Sequence, residues 1–250
     1  ANIGVDAAKL EVLAVYITTD AAHALTPGAL CREYMSSSAW TSMKNTRIVM
    51  EGTDLKSSRL ERTLEELYPY ASVYTRLDRH GQLAEGQRLK TTVNAALLTG
   101  GHKRMPGVMP GDDTRMGSDP VGDAWRGATD ASRCDAKSDL HPISFGACVV
   151  FADGGKCRAW QKKALEYGCS LDAVCQLCQS IEEQSEFGMR PKVLCMADQY
   201  GVCHAPFATA RAFLTEHGYG DVSVLLHDND GVLHTVQAED LLPKLPSWCS

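Results

Sequence analysis

The sequence predicts an α/β fold built from one complete unit and a partial second copy of it. Apolar runs of strand length, closed by turn residues, alternate with helix-like stretches, the order expected of a sheet covered by helices. Two helix starts share one pattern: Thr26-Pro27-Gly28-Ala29-Leu30-Cys31-Arg32 and Ala205-Pro206-Phe207-Ala208-Thr209-Ala210-Arg211. After a further strand-like run, each is followed by a Glu-x-Leu-x-Pro signature, Glu65 to Pro69 in one case and Glu239 to Pro243 in the other. Pro27, Ala29, Arg32, Glu65, Leu67 and Pro69 thus pair with Pro206, Ala208, Arg211, Glu239, Leu241 and Pro243. Internal repetition implies two related units rather than one continuous architecture.

In chain order, Val12 to Ile17 is the first strand-like run, Thr26 to Met35 opens a helix, and Arg47 to Gly52 is a strand with its turn. Thr63 to Pro69 closes this copy, which begins too late to include an opening hairpin and a first helix. A helix is expected over Glu85 to Leu98, with Leu89, Val93, Ala96 and Leu97 near one face. From Gly100 to Gly127 there are seven glycines and three prolines. That density predicts an extended segment whose Met105, Val108, Met109 and Trp125 need a surface to lie on. Phe145 to Phe151, closed by Asp153-Gly154-Gly155, reads as a buried strand entering a hairpin. Val174 to Ile181 and Ala205 to Leu214 read as helices, and Glu216-His217-Gly218 as a helix C-terminus. Val222 to Leu226 is a buried strand, Asp228 to Gly231 a tight turn, and Ala238 to Pro243 a short terminal helix.

Length and composition suit two modest units: 250 residues, 44% hydrophobic and 22% charged, enough to bury a core. A net charge of −6 argues against a nucleic-acid surface, which relies on clustered Lys and Arg. No apolar run approaches the roughly 18 residues a membrane span requires, and no secretory signal pattern is visible. The first residue is Ala1 rather than Met. From this a removed leader and a mitochondrial location are expected, or otherwise a cytoplasmic one.

The second helix start, with the elements around it, resembles the zinc half of the cytidine and blasticidin-type deaminases. There the run reads Pro-Cys-x-x-Cys-Arg, so that two thiolates at a helix start reach one Zn²⁺. Here those positions are Phe207 and Ala210. The family's Cys-Ala-Glu helix corresponds to Cys175-Gln176-Leu177, in which only Cys175 survives and Leu177 stands where the proton-shuttling glutamate would be. In the N-terminal copy Gly28 replaces the first zinc cysteine and Cys31 keeps the second. The resemblance implies a three-layer α/β/α deaminase-like fold: a partial repeat over 8–80, a helix and Gly/Pro-rich linker over 81–135, and a degenerate domain over 136–250. It also implies that the chemistry is lost, with no catalytic residue, no metal and no cofactor.

Two other clusters compete for a function. Cys175, Cys178, Cys203 and His204, with Cys31 as a further donor, would form a displaced zinc site, against the plainer reading of Cys175 and Cys178 as core thiols on a buried helix. Asp112-Asp113 could hold a divalent ion, but an acidic pair in a glycine-rich loop is ordinarily just solvated. The leading expectation is therefore a pseudoenzyme acting as a structural or accessory subunit with other protein subunits as partners. The alternatives are a deaminase-type zinc hydrolase with relocated ligands, and a nucleoside-binding module without turnover. Phe207 and Leu177 are expected to fill the space of the lost metal and its water. The sheet edge left open in the N-terminal copy is expected to be covered partly by the 85–98 helix and partly by a partner.

Overall fold

The computed structural model describes residues 11–54, 59–98, 119–165 and 169–243, with backbone alone for 94–98. The N-terminal part is a small sheet of β1 (Ala14–Thr18), β2 (Arg47–Glu51) and β3 (Arg59–Thr63), with α1 (Ala29–Ser37) between β1 and β2 and the single turn α2 (Leu64–Leu67) after β3. β1 runs parallel to β2, and β2 antiparallel to β3. Thr63-Leu64-Glu65-Glu66 is a capping box: Thr63 Oγ1 accepts from the Glu66 N–H, and Glu66 Oε2 accepts from the Thr63 N–H at 2.7 Å. These reciprocal bonds satisfy two helix-start donors, which supports so short a helix at Leu64–Leu67.

The larger sheet contains β4 (Phe145–Phe151), β5 (Lys156–Trp160), β6 (Pro191–Asp198), β8 (Ser223–His227) and β9 (Leu233–Gln237) in the order β5-β4-β6-β8-β9, with the short β7 (Cys203–His204) also on β6. β6 and β8 are parallel and the remaining neighbours antiparallel. A 3₁₀ turn at Cys175–Leu177 leads into α5 (Cys178–Glu186), α6 (Ala208–Glu216) follows β7, and a second 3₁₀ turn covers Ala238–Leu241.

β4 is buried throughout, so its alternating side chains fill two cores. Ala147, Val149 and Phe151 pack with Leu177, Ile181, Ala210 and Leu214 from the α5 and α6 side. Cys148 and Val150 pack with Ala124 and Ala128 of α4 (Pro120–Ser132) on the opposite face. The larger unit is thus three layers, α/β/α.

α4 corrects the extended reading over 120–127, the helical part of that segment among the described residues. Asp119 caps the helix by accepting the Gly122 N–H at 3.0 Å, and Pro120 occupies the first turn, where a missing N–H costs nothing. Its glycines mark close packing rather than a loop. A Cβ on Gly127 would lie 2.6 Å from Cys148 Sγ, and one on Gly146 would collide with the backbone of Ala128 and Ser132. Trp125 is anchored by donating Nε1–H to Gly201 O at 2.8 Å. Met105, Val108, Met109 and Asp112-Asp113 fall outside the described residues.

α3 (Arg79–Leu98) starts six residues earlier than the periodicity predicts. Its Leu89 and Val93 are buried with Val202, against Trp125 and Tyr200. Among the described side chains the helix therefore packs on the larger unit and not on the core of the small sheet, a departure from that expectation. β6, the centre of the large sheet, goes unread in the sequence because Val193-Leu194-Cys195-Met196-Ala197 is a continuous apolar run without period, and Asp198-Gln199-Tyr200-Gly201 after it is a weaker turn signal.

Candidate functional site

α1 and α6 lie against each other, each beginning just past its shared Pro. Arg211 is fully buried and its guanidinium donates to four carbonyls: Pro206 at 2.7 Å, Leu241 at 2.9 Å, Pro69 at 2.7 Å and Tyr70 at 3.0 Å. Arg32, equally buried, donates to Pro27 O at 2.7 Å, Leu67 O at 3.0 Å, Pro243 O at 2.9 Å and Thr26 Oγ1 at 2.6 Å. Each arginine therefore holds its own unit's Pro and Leu carbonyls, together with the terminal Pro carbonyl of the other unit. Burial lowers both arginine pKa values, Arg32's to about 10, and the Tyr68 ring lies 4.0 Å from the Arg211 guanidinium carbon.

Between these arginines lies the place where the sequence points to a lost zinc site. The start of α6 and the turn before α5 converge on Asp172, which is fully buried. Its Oδ1 accepts the Cys175 N–H at 2.6 Å and its Oδ2 the Phe207 N–H at 3.0 Å. Glu33, from α1, accepts the next amide of α6, Ala208 N–H, along with the Tyr68 hydroxyl at 3.1 Å. Two carboxylates thus occupy the positive helix starts, which favour anions. Burial nevertheless raises the Asp172 pKa to about 6, because desolvation outweighs the two amide bonds that favour the charged form. Neither carboxylate features among the predicted site residues. Asp172 was legible as an Asx cap three residues before Cys175; Glu33 was not, since its role exists only when α1 meets α6.

Leu177 is buried in the core. Ala210 is also fully buried, whereas Phe207 is half-buried, edge-on to Phe145 with ring centroids 5.4 Å apart. Phe207 is only partly packed. It borders a cavity of about 830 Å³ that Phe145, Tyr74, Asp172, Cys175 and Gln161 also line. Gly28 caps α1 and Cys31 is exposed on it, apart from this cavity.

The surviving thiol fits a metal poorly. A hydrogen bond with Cys178, burial and the nearby Asp172 charge all push the Cys175 thiol pKa up, whereas a ligand must be a thiolate. Cys175 and Cys178 are half-buried rather than buried, with the Cys178 thiol donating to Val174 O at 3.7 Å. Cys203 faces the α4 layer, its sulfur 3.5 Å from that of Cys195, while the ring of neighbouring His204 packs between Tyr74 and Phe145 with Nε2 3.0 Å from Asp198. Adjacent strand residues point to opposite faces, so Cys175, Cys178, Cys203 and His204 are not brought together. Among the described residues, no group of three or more His, Cys, Asp or Glu is placed to hold a metal ion.

No family model matches the chain, and no curated protein does. Among solved structures, it is similar to the cytidine deaminase from Mycobacterium tuberculosis, at 24% identity and a TM-score of 0.42, covering 52% of this chain and 98% of that one. It is likewise similar to the cytidine deaminase from Mycobacterium leprae, at 20% identity and a TM-score of 0.40, over 50% of this chain and 99% of that one. For the enzyme from Burkholderia pseudomallei the values are 20%, 0.41, 50% and 97%.

Proposed function

We propose that this chain is a non-catalytic, deaminase-like protein that acts as a structural or accessory subunit of a larger protein assembly. The observation that carries the reading is the state of the two helix starts. Their amides are closed by Asp172 and Glu33, and the side chains at the motif positions are Phe207, Ala210 and Leu177. A hydrolytic deaminase needs a metal-held water and a carboxylate beside it that moves protons between water and base. Alkyl and phenyl groups supply neither lone pairs nor protons. The reciprocal arginine bonds support an internal duplication in which the chain pairs with itself as two subunits would.

The small sheet supports the subunit role. β1 stands in the same relation to β2 and β3 as β6 does to β8 and β9, but β6 carries β4 on its other edge. Among the described residues β1 carries no strand there, and Leu13 and Tyr16 are 65% and 58% exposed. Open strand edges with apolar side chains are normally covered. The test is metal analysis of the purified chain together with a cytidine deamination assay. Neither stoichiometric zinc nor turnover is expected, and either would overturn the reading.

The cavity of about 830 Å³ favours a second reading, a nucleoside-binding module without turnover, since its volume suits a small molecule and Phe145, Phe207 and Tyr74 offer stacking faces. Calorimetric titration with cytidine and uridine separates the two: saturable binding without deamination selects this reading.

A further inference from the structure

A second cavity, of about 540 Å³, lies on the other side of the linker that joins the two units. Segment 70–76 forms one wall, and β7 with the end of β8 forms the other. Two nearly buried imidazoles, His204 and His227, line it, and each has one ring nitrogen committed to the protein. His227 Nδ1 accepts the Cys203 N–H at 2.7 Å. The proton of the uncharged ring must then sit on Nε2, which is a donor only. Desolvation lowers the His227 pKa to about 4, which keeps that ring uncharged at neutral pH. His204 Nε2 donates to Asp198 Oδ2 at 3.0 Å, an oxygen that also accepts the Tyr74 hydroxyl, while Asp198 Oδ1 accepts the Tyr200 and Val202 amides at 2.8 and 3.0 Å. In the uncharged ring His204 Nδ1 is then an acceptor. Among the described residues neither His204 Nδ1 nor His227 Nε2 has a partner.

The surroundings narrow the ligand. Glu65, Asp228 and Arg76 line the cavity, and Asp228 is already bonded to His234 at 2.8 Å, which leaves one carboxylate and one guanidinium. A metal is excluded at His227, because Nε2 holds a proton there and has no lone pair to give. Tyr70 and Arg76, at the two ends of the linker wall, have positive φ of 55° and 68°, the only non-glycine residues among those described to do so. Such strain is retained where surrounding structure over-determines it, as at ligand sites.

We propose that this cavity is a binding site for a small neutral ligand bearing an amide or lactam, whose carbonyl oxygen accepts from His227 Nε2–H while its N–H donates to His204 Nδ1. The site does not depend on the motif region being inert, and no residue of the lost zinc motif takes part.

The test uses the full chain labelled with ¹⁵N and follows the histidine ring resonances during addition of acetamide or 2-pyrrolidinone, with acetate, inorganic phosphate and Zn²⁺ as competitors. The amides should shift His204 and His227 saturably and leave exposed His217 unchanged. His227→Asn retains an acceptor for the Cys203 amide but has no donor at the Nε2 position, and Ala71→Trp narrows the cavity from the linker side. Each should weaken amide binding about tenfold or more. If His227→Asn does not fold, Ala71→Trp decides alone. The proposal is overturned if acetate or phosphate shifts the pair in preference to the amides, if Zn²⁺ does so, if no probe shifts them, or if Ala71→Trp binds as the parent does.

Discussion

Arg32 and Arg211 each bring a positive charge into the interior, where carbonyl and hydroxyl oxygens accept their hydrogen bonds. Four directed bonds from one planar group need the guanidinium fork, so Arg211→Lys should fail to replace it. Arg211→Met leaves four carbonyls without that donor and should cost about 3 kcal/mol or more, read from urea unfolding. Asp172 leads to a prediction in pH. Its folded pKa is raised from 3.8 to about 6, so the native state holds the proton more tightly than the unfolded chain. That contribution is fully present below pH 3.8 and is lost as pH rises towards 6, about 3 kcal/mol over the window. Asp172→Asn should flatten this slope while lowering stability itself, because an amide nitrogen would face one of the two N–H groups. Unchanged pH dependence in the variant would assign the slope to another group.

Helix α4 lies close on β4 because glycines and alanines face each other across the contact: Ala124, Gly127 and Ala128 against Gly146 and Cys148. A single methyl on Gly146 meets backbone atoms, which cannot swing aside as a side chain would. Gly146→Ala should therefore destabilise by about 1 to 3 kcal/mol, measured by thermal or denaturant unfolding. The glycines of 120–127 read as loop signals because composition does not reveal which neighbour a glycine admits. Asp119-Pro120, a cap followed by a helix-starting proline, is the local evidence for a helix, and the glycine density around it hides that signal. β4 and β8 were legible because each apolar run leads into a turn with adjacent Asp and Gly residues, whereas β6, as free of polar alternation as β4, is followed by Asp198-Gln199-Tyr200-Gly201, a weaker turn signal.

For the whole molecule, the edge of β1 that carries no strand among the described residues and the exposed Leu13 and Tyr16 predict concentration-dependent self-association of the isolated chain by light scattering. Tyr16→Lys should reduce it, since a charge on an edge strand opposes further strand pairing. A monodisperse monomer at all concentrations would count against the subunit role. Restoring the motif tests the core: Leu177→Glu with Phe207→Cys and Ala210→Cys places a carboxylate among Ile181, Leu194 and Leu214. Without metal the triple variant should be less stable than the parent by several kcal/mol, because a buried carboxyl there finds no partner.

The sequence by itself determined the pairing of Pro27, Arg32, Leu67 and Pro69 with Pro206, Arg211, Leu241 and Pro243, and the absence of lone-pair donors at Phe207, Ala210 and Leu177, because both follow from residue identity and spacing along the chain. Only the tertiary structure decided that the two arginines cross between units, that Glu33 and Asp172 close the same helix start, that α3 covers the larger unit, and that His204 and His227 open onto one cavity. Each of these depends on groups far apart in sequence meeting with a particular orientation, and orientation is set by packing, which local spacing does not encode.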